Sequence, residues 1–125
     1  MMSSERKKEL IREYKLRPKP AGIFQIKNTV NGKLLLGSSK NLDGVLNKHQ
    51  FALSIGTHRN MALQRDWKEY GERAFVFEIL DKVKVKEEPG FNLDNELLFL
   101  EELWIEKLNP FDGQGYNTSS NLRHV

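Results

Sequence analysis

The chain has 125 residues, 38% hydrophobic and 10% aromatic, which is enough for one domain with a real core and too apolar for disorder. It has no cysteine, so disulfide frameworks, thiolate metal sites and cysteine nucleophiles are excluded, and no apolar run reaches membrane-spanning length. The net charge of +3 conceals an asymmetry: residues 1–68 hold 14 Lys/Arg against 5 Asp/Glu, whereas residues 69–125 hold 6 against 12.

A basic half of this kind suits a polyanion, with nucleic acid the commonest, although many soluble helices are simply charged on their outer faces. The opening MMSSERKKEL lacks the apolar core of a signal peptide, so a cytoplasmic protein with no membrane partner is expected. Residues 4–15 have the composition of a short helix capped by Ser3 or Ser4, and Pro18 and Pro20 stop it. The expected organisation is a basic N-terminal arm over 1–20, a globular body over 21–117 and a tail over 118–125.

The body begins with strand composition at 22–28 and 33–38 around Asn31-Gly32, a pair suited to a two-residue hairpin turn. Such a turn sets Asn28 opposite Leu35 and Phe24 opposite Ser39, with Phe24, Ile26, Leu35 and Gly37 on one face. A helix begun by Asn41 is expected over 41–55. A second is expected over 58–70, ended by Gly71, with Asn60, Leu63, Trp67 and Tyr70 at helical spacing. Residues 74–81 alternate as a third strand, with Phe75, Phe77 and Ile79 on one side. A charged loop then leads to a long helix over 93–108 and a turn-rich segment, NPFDGQGYN. The fold class is α+β, with a small sheet of short antiparallel strands covered by helices.

Two polar residues fall where a helical wheel places apolar ones. In the long helix Glu101 lies within the stripe of Leu97, Trp104, Ile105 and Leu108, while Glu102 and Glu106 lie away from it. A carboxylate facing a core is costly unless paired, hydrogen-bonded or metal-bound. In the helix over 41–55, His49 sits among Leu42, Leu46 and Leu53, with Val45 on the flank. A lone histidine in such a place is more often a core residue than a catalyst. Two polar intruders on separate helices, however, are candidates to line one polar pocket. No Gly-rich phosphate loop, HExxH, EF-hand loop or serine elbow occurs. Gly37-Ser38-Ser39 offers backbone N–H groups to an anion, or is simply a strand exit.

Gly22-Ile23-Phe24 on one strand and Leu35-Leu36-Gly37 on the next are followed by the Ser-Ser-x-Asn-Leu run of Ser38 to Leu42. With His49, HRNMALQRDWKEYGERAFVFEIL (58–80), EELWIEKLNP (101–110) and Gly115-Tyr116-Asn117, they resemble the GIY-YIG endonuclease superfamily in order and spacing. The similarity is greatest to the nuclease domain of phage-type homing endonucleases. The resemblance implies a three-stranded antiparallel sheet flanked by helices and a site for one divalent metal, Mg²⁺ or Mn²⁺, with Glu101 as its protein ligand. It also implies that His49 and Asn117 complete the polar site, and that His58 matches a further histidine of the homing-endonuclease branch. Lys40, Lys48, Arg59 and Arg65 are the cations expected to meet phosphates.

Three positions depart from the family pattern. The two tyrosines are replaced by Phe24 and Leu35, and the arginine by Val45. Loss of one group that stabilises transition-state charge typically costs roughly 100- to 1000-fold, although losses within one catalytic unit do not multiply. Three functions stay open. One is a nucleic-acid-binding relative, with DNA before RNA, whose cleavage is reduced or lost. Another is a working Mg²⁺-dependent endonuclease with a rearranged site, in which His49 is the general base. The third is a protein-interaction module whose basic arm docks an acidic partner. A separate recognition domain, which nuclease modules usually need for specificity, is not expected within these residues.

Overall fold

The structure, a computed structural model, describes residues 19–84, 86–111 and 114–118. The expected arm helix over 4–15 and most of the tail lie outside the described residues. The elements are β1 (Ala21–Asn28), β2 (Leu34–Ser39), α1 (Leu42–Ile55), α2 (Met61–Tyr70), β3 (Phe75–Val83) and α3 (Leu93–Leu108), with a 3₁₀ turn (Glu72–Ala74) before β3. The strands form one antiparallel sheet in the order β2-β1-β3, so the α+β class and the three-stranded sheet stand as expected.

β1 is the central strand and is buried along almost its whole length. Its alternating side chains feed two separate cores. Phe24 and Ile26, with Leu35 of β2, pack against Leu42 and Leu53 of α1 and Leu63 and Trp67 of α2. Ile23, with Leu34 and Leu36, packs on the other face against Leu100, Trp104, Ile105 and Leu108 of α3. Two helices therefore cover one face of the sheet and a third helix covers the other, the arrangement that period-2 strands and amphipathic helices require.

The hairpin differs from its expected geometry. The Asn28 N–H donates to Lys33 O at 2.8 Å and the Gly32 N–H donates to Asn28 O at 2.8 Å, closing a four-residue loop over 29–32. A two-residue turn of the expected kind needs positive φ at both central residues, and only Gly32, at 78°, has it. Phe24 consequently faces Gly37 and Ile26 faces Leu35, a displacement of two residues from the expected pairing. Because side chains alternate with period 2, the displacement leaves every one on its expected face. The loop is pinned from outside, where the Thr29 N–H and hydroxyl both donate to Ala74 O at 2.7 Å, and from within, where Asn28 Oδ1 accepts from the Val30 N–H at 3.0 Å.

The second helix starts later than expected, at Met61, because Asn60 Oδ1 caps it by accepting from the Leu63 N–H at 3.0 Å. His58 therefore belongs to the α1–α2 loop. α1 and α3 are capped in the same way by Asn41 and Asn92. The third strand holds a bulge opposite Ile23 and Phe24, where β3 has one extra residue, Leu80. Phe75, Phe77 and Ile79 keep one face up to that point, and Leu80 joins the α3-side core. Gly22 lies beside the bulge, where a Cβ would come 1.9 Å from Asp81 O, so the first glycine of the hairpin is there for close backbone approach.

Residues after α3 return to the open edge of β2. Gly115 bridges Leu34, the Tyr116 N–H donates to Leu34 O at 2.8 Å, and the Asn117 N–H donates to Pro110 O at 3.0 Å. An edge strand left bare is a template for unwanted pairing, and this segment covers it.

Candidate functional site

The candidate residues separate onto the two faces of the sheet. On the α1–α2 face, Phe24 lays its ring over Gly37 so closely that a Cβ at Gly37 would meet Phe24 Cζ at 2.5 Å. Phe24 and Leu35 are only 3% and 7% exposed and belong to one apolar cluster, against which Val45 packs from α1. Where the resemblance implies two hydroxyls and a guanidinium, the three side chains here have no polar atom and fill one continuous apolar volume.

His49 adjoins that volume, its ring centroid 5.4 Å from the Phe24 ring. It is not alone. His58 stacks on it at 5.0 Å, and His49 Nδ1 lies 2.7 Å from His58 Nε2. His58 is held in turn by Asn60 and by Gln64 of α2, which is itself tied to Leu53 of α1. The Asn60 N–H donates to its Nδ1 at 3.0 Å, its own N–H donates to Gln64 Oε1 at 3.0 Å, and Gln64 Nε2 donates to Leu53 O at 3.1 Å. Burial, His58 and the nearby Lys48 together push the His49 ring from its ordinary value down to about 4, and burial pushes His58 down as well. Both shifts favour the neutral imidazole, although at His58 a backbone hydrogen bond with Asn60 opposes the effect of burial.

Glu101 is on the other face. It is 5% exposed, as its place on the α3 stripe requires, and Ser38 at the end of β2 donates its hydroxyl hydrogen to Glu101 Oε2. Ser38 shares a strand face with Leu34 and Leu36, so Glu101 and His49 approach β2 from opposite sides, with Gly37 between. The expectation that both line one polar pocket thus becomes a narrower arrangement, two polar groups on either side of the β2 exit.

Asn117 has a definite task. Its Oδ1 accepts from the Leu36 N–H at 2.7 Å and its Nδ2 donates to Leu36 O at 2.8 Å, so both ends of the amide are used on edge-strand backbone. Lys40 forms an exposed ion pair with Asp94 at 2.7 Å, of the kind that contributes little to stability. Lys48 precedes His49 and Arg59 follows His58 in the chain, and with Arg65 they are exposed and form no ion pair among the described residues. No group of three or more His, Asp or Glu side chains placed to hold a metal occurs among the described residues.

Sequence reasoning leaves out a second buried polar cluster. Asp66, 7% exposed, accepts from Tyr116 Oη at 2.7 Å and from Asn31 Nδ2 at 3.3 Å, and Tyr116 Oη accepts from Asn28 Nδ2 at 3.2 Å. Burial first, and then the Asp66 carboxylate, raise the Tyr116 phenol to about 12. The signal for Asp66 is the one that marks Glu101, because Leu63, Asp66, Trp67 and Tyr70 share a helix face.

A family model for the GIY-YIG catalytic domain matches residues 20–117. The chain belongs to the GIY-YIG family. It is 32% identical over 97 residues to "Intron-associated endonuclease 1" of Enterobacteria phage T4, a match that takes in 78% of this chain and 36% of that protein. The chain thus spans about a third of the length of that relative. Among solved structures, the catalytic domain of homing endonuclease I-TevI is similar with a TM-score of 0.64 and 31% identity, covering 79% of this chain and 98% of that one. A mutant of the same catalytic domain gives a TM-score of 0.63 over 78% of this chain and 92% of that one. The GIY-YIG signature hairpin is therefore β1 and β2, and its two glycine positions are the close contacts of Gly22 with Asp81 O and of Gly37 with the Phe24 ring.

Proposed function

We propose that this GIY-YIG domain binds nucleic acid, duplex DNA in preference to RNA, with phosphodiester cleavage reduced or lost. The observation that carries the reading is the apolar cluster formed by Phe24, Leu35 and Val45. This wall supplies no group that could activate water and no cation that could clamp a phosphate. Binding requires less. Lys48, Arg59 and Arg65 are exposed and not engaged in ion pairs among the described residues, and cations of that kind give sequence-independent affinity for phosphates.

A second reading, a Mg²⁺- or Mn²⁺-dependent endonuclease with a rearranged site, is favoured by Glu101 and its Ser38 bond. A single oriented carboxylate fits a small hard cation that keeps several waters and takes further oxygens from substrate phosphates. Such an ion would supply Lewis-acid neutralisation of phosphate charge. This chain's own residues would do the rest: Ser38 orients the Glu101 carboxylate, and His49 and His58 supply the polar groups nearest the apolar wall.

Incubation with supercoiled plasmid and Mg²⁺ or Mn²⁺ decides between them. The first reading expects duplex binding that weakens steeply with salt, and no nicking above background. Nicking that Glu101→Ala abolishes establishes the second. An absence of duplex binding even at low salt overturns both and leaves a protein-interaction role.

A further inference from the structure

The proton positions of the histidine pair follow from the backbone of Asn60. Its N–H points at His58 Nδ1, 3.0 Å away. A ring nitrogen that accepts a hydrogen bond has no proton of its own, so neutral His58 has its proton on Nε2. That Nε2 lies 2.7 Å from His49 Nδ1 and donates to it, which leaves the His49 proton on Nε2. The reverse assignment puts a proton on His58 Nδ1 directly against the Asn60 N–H. Asn60 has no freedom to turn away, since Oδ1 caps α2 at the Leu63 N–H and Nδ2 donates to Tyr116 O at 2.7 Å.

We propose that Asn60, acting through His58, holds His49 as its Nε2–H tautomer, so that His49 meets a phosphate oxygen as a neutral hydrogen-bond donor and not as a base taking a proton from water. The phosphate in this statement rests on the nucleic-acid reading above; the tautomer does not. A base at His49 Nε2 would need Nδ1 to carry the proton, and Nδ1 is occupied as an acceptor. His58 and Asn60 are positioning residues in this arrangement, setting which His49 nitrogen has the hydrogen. Lys48, next to His49 in the chain, and Arg59, next to His58, add positive charge beside a donor that itself has none. Burial on the Phe24 ring keeps the imidazole neutral and fixes its plane.

Long-range ¹H–¹⁵N correlation of the uniformly labelled protein at pH 7 reads the tautomers directly. Both Nε2 atoms are expected in the protonated range and both Nδ1 atoms in the unprotonated range. A protonated Nδ1 on either ring overturns the proposal. In His58→Phe, which keeps the ring and removes the donor, the His49 signals are expected to move toward the average of two tautomers; signals that stay put overturn the role of His58. With a short DNA duplex at low salt as probe, His49→Ala is expected to weaken binding roughly 3- to 10-fold. His49→Gln, whose amide Nε2 is a donor at a similar reach, is expected to recover most of that loss. Equal losses in both variants overturn the donor role. Failure of the parent protein to bind the duplex overturns the nucleic-acid reading and the phosphate role with it, while the ¹⁵N spectrum still decides the tautomer.

Discussion

Asn117 spends its whole side-chain amide on the backbone of one residue, Leu36, accepting from its N–H at 2.7 Å and donating to its carbonyl at 2.8 Å. The amide imitates a neighbouring strand at the edge of the sheet, where Leu36 has no strand partner on that side. Replacing Asn117 by Ala leaves two buried backbone groups unsatisfied, and each such group costs about 1–3 kcal/mol. Asn117→Ala is therefore expected to lower the unfolding free energy by about 2–4 kcal/mol in urea denaturation at pH 7. A loss below about 0.5 kcal/mol would show that water replaces the amide without penalty.

Gly37 and Phe24 are a matched pair across β1 and β2. A methyl group at Gly37 would meet Phe24 Cζ at 2.5 Å, so Gly37→Ala forces the ring from its place and is expected to cost about 1–3 kcal/mol. Phe24→Leu in the same chain removes the obstructing Cζ. A double-mutant cycle should return a coupling of at least about 1 kcal/mol, and additive losses would contradict the contact.

Tyr116 makes the fold sensitive to alkali. Its phenol titrates at about 12 in the folded chain against about 10 in an unfolded one, because it is buried and donates to Asp66. Between those values the unfolded state has lost the proton that the folded state retains, so stability is present below pH 10 and declines as the pH rises toward 12. Urea unfolding at pH 9 and pH 11 should show that decline. Tyr116→Phe should remove this contribution and also cost about 1–3 kcal/mol at pH 8, since Asp66 loses a buried donor.

His49 has the opposite effect, at acid pH. The folded ring resists protonation down to about 4, chiefly through burial, whereas an unfolded histidine takes a proton near 6.5. The unfolded state binds more protons throughout that window, so stability falls as the pH drops from 6.5 toward 4. Unfolding midpoints at pH 7 and pH 4.5 should differ more in the parent protein than in His49→Gln. Equal differences would mean that His49 titrates normally in the fold.

How much of this was legible beforehand depended on range along the chain. Glu101 could be singled out because the apolar residues of α3 recur every three or four positions, and a carboxylate among them must be buried. Asp66 offers the same signal on α2, but the shorter helix, with Leu63 and Gln64 buried before it and Trp67 after it, makes it easier to pass over. Helical spacing of Asn60, Leu63, Trp67 and Tyr70 extends the expected helix back to His58, and only the Asn60 cap, a competition between side chain and backbone, moves the start to Met61. The hairpin loop is longer than its turn residues predict for a similar reason. Asn31-Gly32 is a sound two-residue turn by itself, yet Ala74, 45 residues from Thr29, bonds the loop open to four.

The sequence by itself determined the strands, the helices, the Asn41 cap, the Gly71 end and the face on which each strand side chain lies, because these follow from periods of 2 and 3.6 and from local cap residues. It also determined that Phe24, Leu35 and Val45 carry neither hydroxyl nor guanidinium, since a group absent from the side chain is absent in any fold. Only the tertiary structure decided that Glu101 and His49 stand on opposite sides of β2, that Ser38 donates to Glu101, and that His49 is paired with His58. Those relations join residues 9 to 63 positions apart. They are set by which helix packs on which face of the sheet, a choice that no local pattern encodes.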